Sequence, residues 1–317
     1  MNKEYCIGID IGGSHIKMAI LNSKNEIIDF EEVYLNKEDK VSKKSVIDFI
    51  ESNIIYMKDE LFKRSGEEVF QNIYLVGVSS PGIIKDGIIK NAKNLNIDEY
   101  NISRFLKESF NTNNIVVIND GLAGTYGEKE LGTLKDVKDG VFLTIGTGIG
   151  GEVILNGEVL KTSTNIGFEL GHTIIELNGR KCSCGKYGCF EQYCSMRVLR
   201  EYINNVLKQE KHLGLDKILN EEYLNKNDIE NIEVKKVINR YIEDLADGIV
   251  SICEIFNPQL ICISGSFSKF DYLFTLLRDE LKNKKTVTDN NSEIKAGLLQ
   301  NDANIYGAVI YGKVKDV

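Results

Sequence analysis

Three thiols and one imidazole stand at a spacing that could hold a metal ion. The thiols crowd into one short loop with Gly185 and Gly188, which allow a tight backbone path. Four nitrogen and sulfur ligands make a closed tetrahedral zinc site, with no position open for catalysis. The set comprises His172, Cys182, Cys184 and Cys189. We therefore predict a structural Zn²⁺ site; a zinc-ribbon nucleic-acid module would need a second cysteine pair and a basic face, and the sequence has neither.

Glycine-rich turns follow apolar runs at two places. Gly12 and Gly13 separate YCIGID from IKMAIL, and the stretch 146–151 separates VFLTI from EVIL. Backbone N–H groups in such turns can approach a phosphate closely, because no side chain stands in the way. The alternative for each turn alone is an ordinary hairpin.

The second turn also has the GxGxxG spacing of a dinucleotide-binding fold. That fold requires a helix directly after the glycines, whereas a β-branched, alternating run with the hairpin signal Asn156-Gly157 follows here. The Rossmann interpretation is therefore rejected. A Walker P-loop is excluded as well, since GxxxxGK[ST] does not occur in the sequence.

Two aspartates stand where strand-like runs end. Asp10 precedes the first glycine turn and could hold the water shell of a nucleotide-bound Mg²⁺; the alternative is a turn-capping side chain. Asp120 ends the run IVVIND, where a carboxylate faces the ligand crevice of an α/β sheet; the alternative is the N-cap of the next helix.

Bulk composition limits the partners. A chain of 317 residues with 42% hydrophobic content can bury a substantial core and suggests about two domains. A net charge of -8 argues against a broad surface for nucleic acid or an anionic membrane and favours a small-molecule partner. No long apolar run and no signal-peptide core are visible, so a cytoplasmic protein is expected.

Strand-like runs alternate with helical patterns, which indicates an α/β sheet with parallel members. Apolar residues from Val46 to Leu61 predict a helix that reaches Gly66, and Pro258 ends another one. The other predicted helices are DEYNISRFLKESF, Glu191 to about Gln209, Val234 to Phe256, and a closing helix from Asn304 to Val314.

These pieces together resemble the ROK family of bacterial repressors and sugar kinases, which includes glucokinases and N-acetylmannosamine kinases. The resemblance covers nearly the whole chain, and the last two of its segments are a highly specific pair. The segments are Asp10-Ile-Gly-Gly-Ser14, Pro81-Gly82, Asn94-Leu95, Asn119-Asp120, Gly146-Thr-Gly-Ile-Gly-Gly151, Glu169-Leu-Gly-His172, and CSCGKYGCFE from Cys182 to Glu191.

The resemblance implies a two-lobed actin-like ATPase fold, related to ribonuclease H, with an interlobe active-site cleft. The small lobe would comprise residues 1–119 plus about 300–317, and the larger lobe, with the zinc site, residues 120–299. It also implies ATP, Mg²⁺ and structural Zn²⁺ as cofactors, sugar and nucleotide as partners, and a homodimer or homotetramer.

Site residues follow from the same resemblance. Asp120 would be the general base, and His172 would place one ring nitrogen on zinc and the other on the sugar. The sugar-binding residues would be Pro81, Gly82, Asn94, Asn119, Asp120, Glu169, His172 and Glu191. The nucleotide-binding residues would be Asp10, Gly12, Gly13, Ser14, His15, Thr147, Gly148 and Gly265.

The expected activity is ATP-dependent phosphorylation of a hexose or N-acetylhexosamine hydroxyl, as in a glucokinase. Alternatives are an N-acetylmannosamine or other hexose kinase, and a sugar-responsive regulator without catalysis. A repressor needs an N-terminal helix-turn-helix, and few residues precede the first predicted strand. Ser14-His15 replaces the usual Thr-Lys, so His15 could meet the nucleotide differently or be a solvated turn residue.

Overall fold

A computed structural model describes residues 4–35, 42–162, 167–207, 214–224, 229–284, 287 and 292–315. The chain divides into two compact units. Unit 1 comprises Met1–Lys135, Lys161–Gly167 and Asn301–Val317, and unit 2 comprises Asp136–Leu160 and Phe168–Gln300. Within the described part of the chain, no helix combines the length and apolar character needed to cross a membrane.

Both units are built on a sheet, and a smaller sheet accompanies the first. The strands of unit 1 are β1 (Tyr5–Ile11), β2 (His15–Leu21), β3 (Ile27–Tyr34), β4 (Ile73–Ser80), β5 (Ile83–Lys85), β6 (Ile88–Ala92), β7 (Ile97–Tyr100) and β8 (Ile115–Asn119). Those of unit 2 are β9 (Gly140–Ile145), β10 (Ile149–Leu155), β11 (Glu158–Val159), β12 (Leu260–Ser264) and β13 (Glu293–Ala296).

The helices lie between and after these strands. They are α1 (Lys43–Gln71), α2 (Ile102–Phe110), α3 (Asp120–Leu131), α4 (Glu191–Cys194), α5 (Met196–Leu207), α6 (Leu215–Ile218), α7 (Glu221–Leu224), α8 (Ile229–Phe256), α9 (Asp271–Asn283) and α10 (Ala303–Lys315). The helices predicted from Val234 to Phe256 and from Asn304 to Val314 are confirmed as α8 and α10. Each begins earlier than expected, at Ile229 and at Ala303.

The two main sheets repeat one arrangement. Their strand orders are β3-β2-β1-β4-β8 and β11-β10-β9-β12-β13. In each, a glycine-turned antiparallel hairpin is extended by two strands parallel to its first strand. Because the carboxyl ends of parallel strands meet at one edge, each sheet gathers its turn and its strand ends on the same side.

Helix α1 buries the apolar stripe that the sequence predicted. Val46, Ile50 and Ile54 are fully buried, and Ser42 opens the helix with a capping box to Ser45. The predicted end at Gly66 is wrong: Gly66 has a φ of 84° and kinks the helix, which resumes and continues to Gln71.

The segment DEYNISRFLKESF is only partly helical. Its first residues belong to β7, where Tyr100 pairs with Ile89 of the neighbouring strand. Asn101 then accepts a hydrogen bond from the backbone N–H of Arg104 at 3.0 Å and begins α2 as its N-cap. Strand pairing therefore overrides the helical pattern before Asn101.

The helix predicted from Glu191 is interrupted. Ser195 is extended, so α4 ends at Cys194 and α5 starts at Met196, whose N–H donates to the Gly146 carbonyl at 2.9 Å. That bond anchors the break to the second glycine turn. The expected end near Gln209 lies outside the described residues.

Helix α10 packs on β1, β4 and α3 at backbone-to-backbone distance. A Cβ on Gly77 would lie 2.6 Å from the Ala308 carbonyl, and a Cβ on Gly8 would lie 2.7 Å from Ile305. On α3, Gly127 meets Ala303 equally closely. Because α3 packs on α10, it belongs to unit 1, which differs from the predicted boundary after Asn119.

Unit 2 has its own apolar core. Side chains of β9, β10 and β12 pack with those of α5, α8 and α9. At its centre the buried Tyr241 of α8 donates a hydrogen bond to the Cys194 carbonyl at 2.7 Å. This core supports the edge of the sheet where β9 turns into β10.

Candidate functional site

In unit 1, two aspartates stand at the carboxyl ends of parallel strands. Strand β4 pairs Ser79 with Asp10 of β1 and Ser80 with Asn119 of β8. Asp120 follows directly as the first residue of α3. The register therefore brings the end of β1, the turn after β4 and the start of α3 to one edge of the sheet.

Asp120 has the electrostatics of a group that can exchange a proton. Its Oδ1 accepts from the Gly121 N–H at 3.0 Å. Burial of the carboxyl group, together with the negative charge of Asp10, raises the pKa of Asp120 to about 6. Such a carboxylate is mostly ionised at neutral pH, yet it is a better proton acceptor than an ordinary aspartate.

Asp10 is buried and fixed by its neighbours. Asn304 of α10 donates from Nδ2 to its Oδ1 at 3.1 Å. Burial raises the pKa of Asp10, while Asn304 and the nearby Lys17 charge favour the ionised form. Lys17 itself lies opposite Asp10 in the hairpin and pairs with Asp302 at 3.4 Å.

The first glycine turn is tightly closed. The Gly12 N–H donates to the His15 carbonyl at 2.9 Å, and Ser14 Oγ lies 3.1 Å from His15 Nδ1. His15 Nε2 lies 4.0 Å from a carboxylate oxygen of Asp10. A Cβ on Gly13 would be 3.7 Å from Asn94, so the structure brings this predicted sugar residue beside the turn.

Asn119 is the N-cap of α3, a role that the sequence analysis considered for Asp120. Its Oδ1 accepts from the backbone of Gly121 and Leu122, and its Nδ2 donates to the Gly82 carbonyl at 3.0 Å. Gly82 follows Pro81 with a φ of 95°. Asn119 thus ties the Pro81-Gly82 turn to α3 and leaves Asp120 available for other chemistry.

In unit 2, the second glycine turn is supported by an acid. The Gly146 N–H donates to the Gly148 carbonyl at 2.9 Å, and Thr147 at the tip is exposed. Glu191 Oε2 accepts from the Ile149 N–H at 3.0 Å and presses against Gly148, where a Cβ would collide with it. The residue predicted for sugar binding therefore also shapes the turn.

Gly265 lies directly beside this turn. Its φ is 78°, and a Cβ there would be 2.7 Å from the Ile145 carbonyl oxygen, so the position requires glycine. Next to it opens a cavity of about 340 Å³, within the range of small-molecule sites. Its lining comprises Arg200, Gly214, Leu215, Asp216, Ser266, Lys269 and Phe270.

The segment Phe168–His172 runs along β10. Phe168 forms an antiparallel bridge with Gly151, and Gly171 packs on the Ile149 carbonyl. Glu169 is exposed, and its carboxylate lies 3.7 Å from Nε2 of His172. The other imidazole nitrogen, Nδ1, lies 3.6 Å from Cys182 Sγ. The ring therefore has one nitrogen on the thiol side and one on the Glu169 side.

The predicted metal ligands come together in the fold. Their ligand atoms, one from each of His172, Cys182, Cys184 and Cys189, lie within 4.8 Å of one another. Cys184 Sγ and Cys189 Sγ are 3.6 Å apart. Gly185 and Gly188 have positive φ, as the tight path required.

This donor set fits a tetrahedral zinc ion. Zinc–ligand bonds of about 2.3 Å to sulfur and about 2.0 Å to nitrogen place neighbouring ligands about 3.5 to 3.8 Å apart. Burial and the adjacent thiols raise the pKa of Cys189 to about 12, whereas the Lys186 N–H lowers the pKa of Cys184. A divalent cation would supply the charge that lets all three thiols ionise.

Several contacts at these sites were not predicted. Gln192 Nε2 lies 3.6 Å from Cys182 Sγ as a donor to the thiol, and Asn304 holds Asp10. Glu152, in the middle of β10, is 1% exposed. Single polar residues of this kind carry no local sequence signal; only the positions of α4, β10 and α10 in the fold reveal them.

Comparison with known proteins agrees with this geometry. The ROK family model matches residues 6–314. A xylose repressor from Bacillus spizizenii is 30% identical over 264 residues, which cover 83% of this chain but only 64% of the repressor. A glucokinase from Halalkalibacterium halodurans is 29% identical over 322 residues, which cover 97% of this chain and 94% of the glucokinase.

Among solved structures, a ROK family glucokinase from Streptomyces griseus in complex with glucose and AMPPNP has a TM-score of 0.78. It is 19% identical, and the match covers 98% of this chain and 99% of that chain. The likeness confirms the predicted actin-like ATPase fold class. Because the family model extends over nearly the whole sequence, the chain belongs to the ROK family.

Proposed function

We propose that this protein is a sugar kinase that transfers the γ-phosphoryl group of ATP to a hydroxyl of a hexose or N-acetylhexosamine. The observation that carries the proposal is the Asp120 carboxylate, held at the head of α3 with a pKa of about 6. A kinase needs one base to accept the proton of the acceptor hydroxyl. The remaining catalysis comes from positioning the substrates and stabilising the charge on the transferred group.

Asp120 accepts the proton of the attacking hydroxyl. As that oxygen bonds to phosphorus and the bond to the leaving nucleotide breaks, the proton moves to the carboxylate. The Gly121 N–H keeps one carboxylate oxygen in place, and Asn119 fixes the helix start from which it projects. The raised pKa brings the base closer to the operating pH, which favours proton transfer.

The glycine turns, Ser14, His15 and Thr147 bind the nucleotide phosphates, and Asp10 holds the water shell of Mg²⁺. Magnesium supplies charge neutralisation on the transferred phosphoryl group when it is bound. Asn304 keeps the Asp10 carboxylate in one orientation. The cavity beside Gly265 is the place for the nucleoside, which favours ATP over polyphosphate as the donor.

The sugar hydroxyls are held by polar side chains and one backbone turn, namely Asn94, Asn119, Glu169, His172, Glu191 and the Pro81-Gly82 turn. The Cys182, Cys184 and Cys189 thiols hold Zn²⁺ together with His172 Nδ1, and the ion fixes the imidazole orientation when it is bound. His172 Nε2, on the Glu169 side, is then presented to the sugar.

A sugar-responsive regulator without catalysis is the second candidate, because the xylose repressor matches over 83% of this chain. Such a protein needs the sugar residues and the metal cluster but not a carboxylate tuned for proton transfer. The raised pKa of Asp120 beside Asp10 therefore favours the kinase.

The test is an ADP-release assay with Mg-ATP against free hexoses and N-acetylhexosamines, including glucose, N-acetylmannosamine and xylose. Asp120→Asn is the control, since it keeps the Gly121 contact but cannot accept the proton. We expect turnover with at least one sugar and a loss of at least about a thousandfold in the variant.

Metal content and thermal unfolding of both proteins accompany the assay. If the Asp120→Asn variant kept its turnover, Asp120 could not be the general base. No turnover with any sugar, from folded and metal-loaded protein that still binds a sugar by calorimetry, would replace the kinase with the regulator.

A further inference from the structure

The side chain of Gln192, on the short helix α4, connects the cysteine cluster to Glu191. Its Nε2 donates a hydrogen bond to Cys182 Sγ, 3.6 Å away. The same nitrogen lies 3.4 Å from Glu191 Oε1, which can only accept when the carboxylate is ionised. Because an amide nitrogen carries two hydrogens, one is available for the sulfur and one for the carboxylate.

The orientation of this amide is fixed from its other end. Gln192 Oε1 accepts a hydrogen bond from Arg197 Nη2 at 3.4 Å, and Nη1 of the same guanidinium pairs with Glu201 at 2.9 Å. Because a guanidinium group only donates, it selects the amide oxygen and leaves the amide nitrogen for Cys182 and Glu191. The half-buried Gln192 thus meets two acceptors and one donor, which is the set of partners that an amide satisfies.

Glu191 continues the connection to the second glycine turn. While Oε1 faces Gln192, Oε2 accepts from the Ile149 N–H at 3.0 Å and presses against Gly148. A continuous series of hydrogen bonds therefore leads from the Cys182 sulfur through two side chains to the backbone of the turn. All of these residues belong to unit 2.

We propose that Gln192 is a positioning residue that strengthens metal binding at Cys182 and couples metal occupancy to the second glycine turn. A metal-bound sulfur is a thiolate, and a hydrogen bond from an amide to a thiolate is stronger than one to a neutral thiol. With Zn²⁺ bound, the amide is held more firmly, and so is the Glu191 carboxylate that supports the turn. The effect on nucleotide binding rests on the proposed function, whereas the effect on metal affinity does not.

Two variants of Gln192 separate hydrogen bonding from packing. Gln192→Met keeps the length of the side chain but cannot donate to the sulfur or to Glu191. Gln192→Glu places a carboxylate beside the thiols and beside Glu191, where like charges repel. Gln71→Met makes the first change at an exposed glutamine of unit 1 and is the matched control.

Zn²⁺ affinity, measured by competition with a chromophoric chelator, reports the contact with Cys182. We expect the Kd for Zn²⁺ to rise about tenfold in Gln192→Met and at least as much in Gln192→Glu, and to stay at the wild-type value in Gln71→Met. Replacement of zinc by Co²⁺ adds a spectroscopic signature, because the sulfur-to-cobalt charge-transfer band shifts when a thiolate loses a hydrogen bond. An equal Kd for Zn²⁺ in wild type and Gln192→Met overturns the proposal.

ATP affinity, measured by calorimetry with and without bound zinc, reports the coupling to the turn. Removal of zinc from wild type and Gln71→Met should raise the Kd for Mg-ATP about threefold or more. In Gln192→Met the Kd for Mg-ATP should already be raised in the zinc-loaded protein, and removal of zinc should change it little. An equal response to zinc removal in wild type and Gln192→Met contradicts the coupling.

If the zinc-free protein does not fold, the zinc-loaded forms of wild type and Gln192→Met still decide the matter. Equal affinity of these two forms for Mg-ATP would then overturn the coupling. Weaker zinc binding in Gln192→Met, together with no binding of Mg-ATP by folded wild type, would contradict the proposed function. It would leave the support of the metal site by Gln192 established.

Discussion

Glu191 Oε2 accepts a hydrogen bond from the Ile149 N–H at 3.0 Å, so one carboxylate joins the segment after the cysteine cluster to the second glycine turn. Its other oxygen lies 3.4 Å from the Gln192 side chain. A residue in this position influences both the proposed sugar contacts and the proposed phosphate contacts.

Glu191→Ala should therefore raise the KM for sugar and the KM for ATP together, each by roughly three- to tenfold, since the loss of the half-buried acceptor of the Ile149 N–H loosens the turn. Glu191→Gln, which keeps an acceptor for Ile149, should leave the KM for ATP near wild type. Steady-state kinetics check this; a change in the sugar KM alone would limit Glu191 to the sugar.

The charge of Asp10 should be visible in the titration of Asp120. Asp10 contributes to raising the pKa of Asp120 to about 6, so Asp10→Asn should lower that pKa toward the ordinary aspartate value. Carbon-13 NMR of the aspartate carboxyls, without nucleotide or Mg²⁺, measures it directly. An unchanged pKa would leave burial as the only cause.

Asp120→Asn should stabilise the protein while it removes activity. Because the folded-state pKa of Asp120 is raised, its contribution to stability is complete below about pH 4 and is lost as the pH rises through 6. The variant does not titrate, so its advantage should grow between pH 4 and pH 6 to about 1 to 3 kcal/mol. Urea unfolding at pH 4 and pH 8 tests this, and an equal advantage at both values would contradict it.

Cys184→Ser should abolish metal binding. It removes an exposed ligand of the cluster with little effect on packing, and His172 loses the ion that fixes its ring. Elemental analysis should show about one zinc per chain in wild type and almost none in the variant, with weaker sugar binding. Cys253→Ser, a buried cysteine outside the cluster, is the control that should keep its metal. Metal loss with unchanged sugar affinity would refute the role given to His172.

Gly82→Ala should cost more stability than Gly157→Ala, although both glycines have positive φ. A Cβ on Gly82 would lie 2.7 Å from the Lys90 carbonyl, whereas a Cβ on Gly157 would meet nothing within 4 Å. Strain alone costs about 1 kcal/mol at Gly157, and strain with overlap about 2 to 4 kcal/mol at Gly82. Denaturant unfolding distinguishes the two, and equal losses would show that the β4 turn yields freely.

Local sequence signals predicted the elements that depend on local chemistry. Gly12, Gly13 and the stretch 146–151 mark hairpins in the structure, and the thiols of the cysteine loop meet His172 as their spacing indicated. Glycine and cysteine impose their constraints through their own covalent structure, so neighbours in the sequence suffice to recognise them.

Tertiary pairing explains where the structure differs from the expectations drawn from local sequence patterns. The residues before Asn101 have a helical pattern but pair with β6, and Asn119 takes the cap because its amide reaches Gly82. Glu152 is buried in β10, next to the bridge that joins Gly151 to Phe168. These outcomes depend on tertiary contacts that no single window of sequence contains.

The packing of α10 on β1 and β4 has a consequence for synthesis on the ribosome. The strands of unit 1 are translated before unit 2, but α10, the helix that covers Gly8 and Gly77, is translated after it. Unit 2, most of which is one continuous stretch, is finished before it. One apolar face of the nascent unit 1 sheet therefore stays uncovered until α10 is translated. By then, unit 2 has had time to fold.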